Sequence, residues 1–346
     1  MPSNTASLTN AAPWLPEAFN GGHAYRDRLD ASVASAIGFY AERYPHSSAA
    51  IWQERLAAGE IWRNGCQLRS DGPLHAGDRL IWQRPPWREP AVPQLLERAV
   101  VLDDGDLLVL NKPSGLPVLP AGGFLNHTLL QQLHAWPQAS QARPVHRLGR
   151  FTSGLLVCAR TPQTRAWLSA QLRESTRGGN QPVSACKKVY RALTAPLPSD
   201  WQLGEQRLIR VPIGRRPHAR LGTVWCAASA GESSAADLVA CSRMVLLQRR
   251  SSGALVEVTI ASGRPHQIRI HAAAVGAPLL GDPLYQPGGA ARNTALPGEG
   301  GYLLHAHRLT LHPPDAAPIV LEAPLPDVLR EEEKPGHGSS AVGSGA

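Results

Sequence analysis

Apolar residues recur at helical spacing in two stretches near the start of the chain, "ASVASAIGFYAERY" (31–44) and "SAAIWQERLAAG" (48–59). This predicts two short helices, with Gly59 placed to end the second. The pattern then becomes extended. "EIWRNGCQL" carries Asn64-Gly65, the residues favoured in a tight hairpin turn, and "LHAGDRLIWQRP" has a second turn at Gly77-Asp78 ahead of a strand. Prolines in "QRPPWREPAVP" (83–93) interrupt every periodicity and mark a boundary.

Beyond that boundary, "VVLDDGDLLVLNKPSGLPVLP" sets an acidic turn before an apolar strand over 107–110 and a Lys-Pro-Ser-Gly loop after it. "HTLLQQLHAW", "PQTRAWLSAQLRES" and "RPHQIRIHAAAVG" are spaced as helices. "GLLVCART", "KKVYRALTAP", "GALVEVTIAS", "YLLHAHRLTLHPP" and "PIVLEAPLP" are spaced as strands. Strands outnumber helices, and consecutive strands often lack a helix between them. The expected class is therefore α+β, with a largely antiparallel mixed sheet behind a small α+β domain. The expected divisions are a disordered tail over 1–22, a small domain over 23–86, a Pro-rich linker over 87–97, a large domain over 98–328 and a disordered tail over 329–346.

The chain is long enough for two domains with real cores, at 346 residues and 43% hydrophobic. No run approaches the roughly 18 apolar residues of a membrane helix, and no secretory leader pattern opens the sequence, so a cytoplasmic protein is expected. Cys66, Cys158, Cys186, Cys226 and Cys241 are odd in number and scattered, which speaks against a disulfide framework and a zinc ribbon alike. The formal charge is +8, with an isoelectric point near 9.6, and the late "REEEKP" run makes the remainder more basic still. Such a surface attracts polyanions, nucleic acid above all. No P-loop and no G-x-G-x-x-G is present. His266 with His271, and His305 with His307, lie at i,i+5 and i,i+2, spacings that match no zinc pattern.

Five segments now stand together: "LLVLNKPSGLPV", "VHRLGRFTSGLLVCAR", "KKVYRAL", "SGRPHQIRIHAAAVGAPLLGDPLY" and "LLHAHRLTLHPP". In this order they resemble the RluA-type pseudouridine synthases across nearly all of residues 98–325. "RLAAGEIWRNG…LHAGDRLIW" resembles, over about sixty residues, the small RNA-binding module first recognised in a small-subunit ribosomal protein. The resemblances imply an isomerase that breaks the C1′–N1 bond of uridine in rRNA or tRNA, turns the uracil and rejoins it through C5. They imply no cofactor, no metal and no membrane, and the expected state is a monomer. Arg147 would fill or brace the stack vacated by an extruded base, Tyr190 would pack against that base, and Arg269 stands where the family has the arginine that pairs with a catalytic carboxylate. His146, Arg150, Arg264, His266 and Gln267 are expected beside them at the RNA. Arg43, Arg55 and Arg63 of the small module are candidate phosphate contacts.

The family's catalytic aspartate follows the Leu of "HRL". Here that position is Gly149, while His146, Arg147, Leu148, Thr152, Ser153 and Gly154 around it match. A glycine supplies neither nucleophile nor base, and losing such a group costs around three to six powers of ten in rate. Three accounts stand open. The protein binds RNA without isomerising it, with Arg269 free for a phosphate. Alternatively another carboxylate enters the site, Asp282 in "LLGDPLY" ahead of Asp103, Asp104 and Asp106. In the third, the fold has taken another role. Glycine also raises the prospect of left-handed backbone at 149. Pro265 and Leu119, where the family usually has Thr and often His, mark an atypical branch.

Overall fold

The computed structural model describes residues 13–174, 186–228, 234–260, 263–295, 300–314 and 316–332. The two early helices form as Ala36–Arg43 and Ala49–Ala57, and the side chains of Ser35 and Ser48 accept the backbone N–H of Gly38 and Ile51 at their starts. They pack on a four-stranded antiparallel sheet in which His23–Arg28, Arg79–Arg84, Ile61–Arg63 and Cys66–Gln67 are successive neighbours. The hairpin turn is where the sequence puts it: Asn64 and Gly65 have φ of 51° and 86°, the left-handed pair such a turn requires. Tyr40, Trp52, Leu56, Ile61, Leu80 and Trp82 fill this module's core.

A ten-stranded sheet carries the rest. Its path runs Gln206–Ile209, Ser242–Arg250, Gly253–Ile260, Lys187–Thr194, Leu304–Leu311, Thr152–Ala159, Leu107–Lys112 and Val100–Asp103, with Arg143–Pro144 and Ile319–Glu322 attached at its side. Every pairing is antiparallel except that of Thr152–Ala159 with Leu304–Leu311. Leu107 and Val109 point to one face with Leu155, Val157 and the Leu168–Leu172 side of the Pro162–Glu174 helix. Leu108 and Leu110 point to the other, against Leu129 and Leu133. Both faces are covered, which is why these strands read as continuous apolar runs. Farther along, Ile268 and Ala272 of the Gln267–Ala274 helix pack on Met244, Val256 and Val258.

Residues 197–252, for which no element is predicted, contribute four strands: two to the large sheet, and Ile213–His218 with Gly222–Ala227 as a separate hairpin. The tail and linker expectations also change. Trp14–Leu15 pairs with Val92–Pro93, and Ala18–Phe19 with Arg88–Glu89. Glu89 is buried, and its carboxylate accepts N–H groups from Leu125, Asn126 and His127 together with the Asn20 amide at 2.7–3.0 Å. A buried carboxylate needs such donors, and composition does not reveal who supplies them. Leu329 is buried against Leu193 and Leu255. The remaining tail residues, 1–12 and 333–346, lie outside the described residues, as do Ala261 and Ser262 of the expected 253–262 strand.

Candidate active site

The site begins with the single parallel pairing. Its register sets Thr152 opposite Leu304 and Gly154 opposite Ala306, so the turns that precede the two strands emerge at one end of the sheet. Gly154 permits this: φ is 99°, and a Cβ there would collide with the Ala306 backbone. Against the neighbouring Lys187–Thr194 strand the register shifts, Val189 facing Arg308 and Tyr190 facing Ala306, so His307 is the extra residue that bulges the Leu304–Leu311 strand. A cavity of about 460 Å³ opens there, lined by Arg147, Gly149 and Thr152 from the first turn, Lys188 and Tyr190 from the Lys187–Thr194 strand, His266 and Arg269 from the helix start, and Tyr302.

Gly149 is exposed and is not among the left-handed residues. Its carbonyl accepts the Thr152 N–H at 3.0 Å, closing the turn. A Cβ built on it would fall well inside contact with the Tyr302 hydroxyl oxygen, with Tyr302 Cζ at 3.5 Å and Thr152 Oγ1 at 3.4 Å. Thr152 Oγ1 donates to that hydroxyl at 3.3 Å. The place of the missing side chain is therefore taken by a phenol from elsewhere in the chain.

Arg269 does have a carboxylate partner. Its Nε and Nη2 donate to Asp282 Oδ2 and Oδ1, each at 2.7 Å. Burial works against the guanidinium charge, yet the Asp282 hydrogen bonds hold its pKa above the ordinary value. This corrects the expectation of an Arg269 free for phosphate. It also removes Asp282 as a replacement acid, because that side chain is fully buried, does not line the cavity and additionally accepts the Leu284 and Tyr285 N–H groups. Asp103 and Asp106 are spent elsewhere, on Arg160 and on Thr161, and Asp104 accepts the N–H groups of Asp106 and Leu107. None of the three lines the cavity.

The other expected residues divide into two groups. Arg147 is exposed and has no hydrogen-bond or ionic partner among the described residues, and Tyr190 is half-buried at the cavity wall, its phenol pKa pushed up by burial. Both remain open to a ligand. His146, Arg264 and Gln267 line the cavity as well, whereas Arg150 does not, and all four spend side-chain nitrogens on the protein itself. His146 Nε2 accepts the Val157 N–H at 3.0 Å, and burial together with Lys188 pushes its pKa down to about 3. Arg150 Nε donates to the Gly115 carbonyl, Arg264 Nε to that of Val239, and Gln267 Nε2 to Cys241 O and Ser242 Oγ. His266 has φ of 53° and meets the Tyr285 hydroxyl at 2.7 Å through Nδ1. That hydroxyl donates to Trp225 O, so Nδ1 carries the imidazole proton and Nε2 is the acceptor. Burial, with Arg269 nearby, holds its pKa down to about 4, so the ring is neutral.

In the small module the three arginines are engaged: Arg43 with Asp27 at 3.3 Å, Arg63 with Asp78 at 2.7 Å, and Arg55 over the rings of Trp52 and Trp82. None lines the cavity, although Arg43 keeps most of its side chain in solvent. The histidines are individually satisfied at Nδ1, His271 by Ser242, His305 by Ser153 and His307 by Ala323. Among the described residues no three or more His, Cys, Asp or Glu gather as for a metal. Sequence reasoning missed Lys188 and Tyr302. Lys188 was findable, since it stands two residues from Tyr190 on a strand and shares its face.

A mixed sheet with a basic, aromatic cavity at one end suits a ligand that joins a flat base to a phosphate. A model of the RNA pseudouridylate synthase family matches residues 106–274. A Synechocystis protein described as an uncharacterized RNA pseudouridine synthase is 43% identical over 85% of this chain and 94% of its own length. RNA pseudouridine synthase 5 of Oryza sativa is 37% identical over 96% of this chain and 94% of its own. Ribosomal large subunit pseudouridine synthase D of Neisseria meningitidis serogroup A is 32% identical over 87% and 76%. The human RNA Pseudouridylate Synthase Domain Containing 4 structure shares the fold at 22% identity, with a TM-score of 0.50 over 68% of this chain and 91% of that one. The chain belongs to the RNA pseudouridine synthase family.

Proposed function

We propose that this protein isomerises uridine to pseudouridine in rRNA or tRNA, working as a monomer in the cytoplasm. The observation that carries the reading is the cavity itself, which joins an Arg147 without a partner among the described residues, a half-buried Tyr190 and the Arg269 end of the helix at one mouth. A stacked uridine must be extruded before any group reaches its sugar, and a cation with an aromatic wall stabilises the extruded base. Arg147 braces the vacated stack or its phosphate, and Tyr190 packs on the uracil. Arg269, held as a cation by its ion pair with Asp282, lies between the Tyr302 and Tyr285 rings, with its Cζ 4.3 and 4.9 Å from their centroids. The His266 ring supplies a neutral acceptor. Lys188 adds a half-buried cation whose pKa is lowered by desolvation.

Gly149 favours a second reading, an RNA-binding or assembly protein on the same scaffold without isomerase activity. Release of tritium from RNA labelled with [5-³H]uridine separates the two, because rejoining through C5 expels that hydrogen. Isomerisation predicts stoichiometric release from a subset of uridines, and salt-sensitive binding without release would establish the second reading.

A further inference from the structure

Position 149 offers no group to accept or give a proton, yet the chemistry at the sugar needs one. Tyr302 stands at that point. It reaches the Gly149 turn only because the 152–159 and 304–311 strands run parallel, and its oxygen occupies the volume a side chain at 149 would use. The residue is 6% exposed and held on several sides: Phe151 meets it edge-on at 5.9 Å, and the Arg269 guanidinium lies 4.3 Å from its centroid. Thr152 donates to the phenol oxygen. The phenol's own proton therefore has no acceptor among the described residues and is available to the cavity.

We propose that Tyr302 is the catalytic residue of this site, its phenol acting first as acid and then as base in place of a carboxylate at 149. The proposal rests on the isomerase reading above. As the C1′–N1 bond breaks, its electron pair stays with the uracil and N1 takes the Tyr302 proton. The phenolate left behind faces the Arg269 cation and the Thr152 hydroxyl, both fixed before the reaction begins. After the uracil turns, its C5=C6 pair forms the bond to C1′. The phenolate then removes the C5 proton and becomes phenol again. N1 keeps the first proton, so one isomer becomes the other and nothing is consumed.

Tyr302→Phe keeps the ring and removes the oxygen. The probe is total RNA labelled with [5-³H]uridine from cells that lack this protein, assayed for single-turnover tritium release beside filter binding and thermal unfolding. The expected result is a fall in the release rate of at least about 100-fold, as for loss of a general acid–base group, with binding held within about threefold and the unfolding midpoint unchanged. Gly149→Asp alone should not raise the rate, because its Cβ meets the Tyr302 oxygen. With that oxygen gone the nearest ring carbon is 3.5 Å away, so Gly149→Asp combined with Tyr302→Phe should recover release that Tyr302→Phe lacks. A tyrosine needed only for packing would not be rescued by a carboxylate. Parental rates in Tyr302→Phe would overturn the proposal and leave the isomerase reading standing. A parent that binds the labelled RNA but releases no tritium would overturn both.

Discussion

Lys112 is the most demanding side chain to bury in this fold, with no exposed surface and no ion pair to a carboxylate among the described residues. Its ammonium donates to the carbonyls of Pro113, Leu116 and Arg150 at 2.8–2.9 Å, tying the Lys-Pro-Ser-Gly loop to the turn that carries Gly149. Burial, with Arg150 nearby, pushes its pKa down to about 7 from 10.5. The folded chain thus gives up this proton near pH 7, whereas the unfolded chain keeps it to about 10.5. Between those values the unfolded state binds more protons, so this group makes stability rise with pH. At about 1.4 kcal/mol per pH unit, the rise from pH 7 to pH 9 is about 2 kcal/mol. Three carbonyl acceptors favour the ammonium and make that figure an upper one. Lys112→Met removes the titration and leaves three carbonyls short of a donor, each costing about 1–3 kcal/mol. Urea unfolding of both proteins at pH 6, 7, 8 and 9 isolates the difference from other titrating groups. The variant should be less stable at pH 9 by more than at pH 6, with the gap widening by about 1–2 kcal/mol. A gap independent of pH would refute the argument. Its site consequence is a loosened Gly149 turn, read as slower tritium release at equal RNA binding.

Asp282→Asn should cost about 3–5 kcal/mol in denaturant unfolding, because it leaves the buried Arg269 charge uncompensated, and should slow tritium release only by loosening Arg269, without abolishing it. Loss of isomerisation with unchanged stability would restore Asp282 as an acid. Arg147→Ala and Tyr190→Ala should each weaken binding to a uridine-containing stem-loop by about 1–3 kcal/mol, whereas Arg330→Ala, an exposed residue paired with Asp327, should change it far less. Equal losses at all three positions in a filter-binding titration would mean that the RNA lies elsewhere.

The sequence alone determined what local physics decides. The helices at 36–43 and 49–57 follow from apolar spacing, and the Asn64-Gly65 hairpin from two residues at ease in left-handed backbone. Four of the five motif segments marked the walls of the site, since loops and strand ends carry their chemistry in short contiguous runs. Strands at 206–209 and 242–250 escaped notice because "QRLI" and "SRMVLLQRR" mix charged and apolar residues with no clean alternation. The backbone bonds that occupy His146, Arg150 and Gln267 were equally hidden, because a motif names a side chain without saying which carbonyl or N–H lies within its reach. The tertiary structure decided the pairing of Arg269 with Asp282 and the arrival of Tyr302 beside Gly149. Tyr302 is 153 positions from Gly149 in the numbering, and no periodicity couples them. One parallel register does, by bringing two strand starts to the same end of the sheet and setting a phenol where the chain has no side chain.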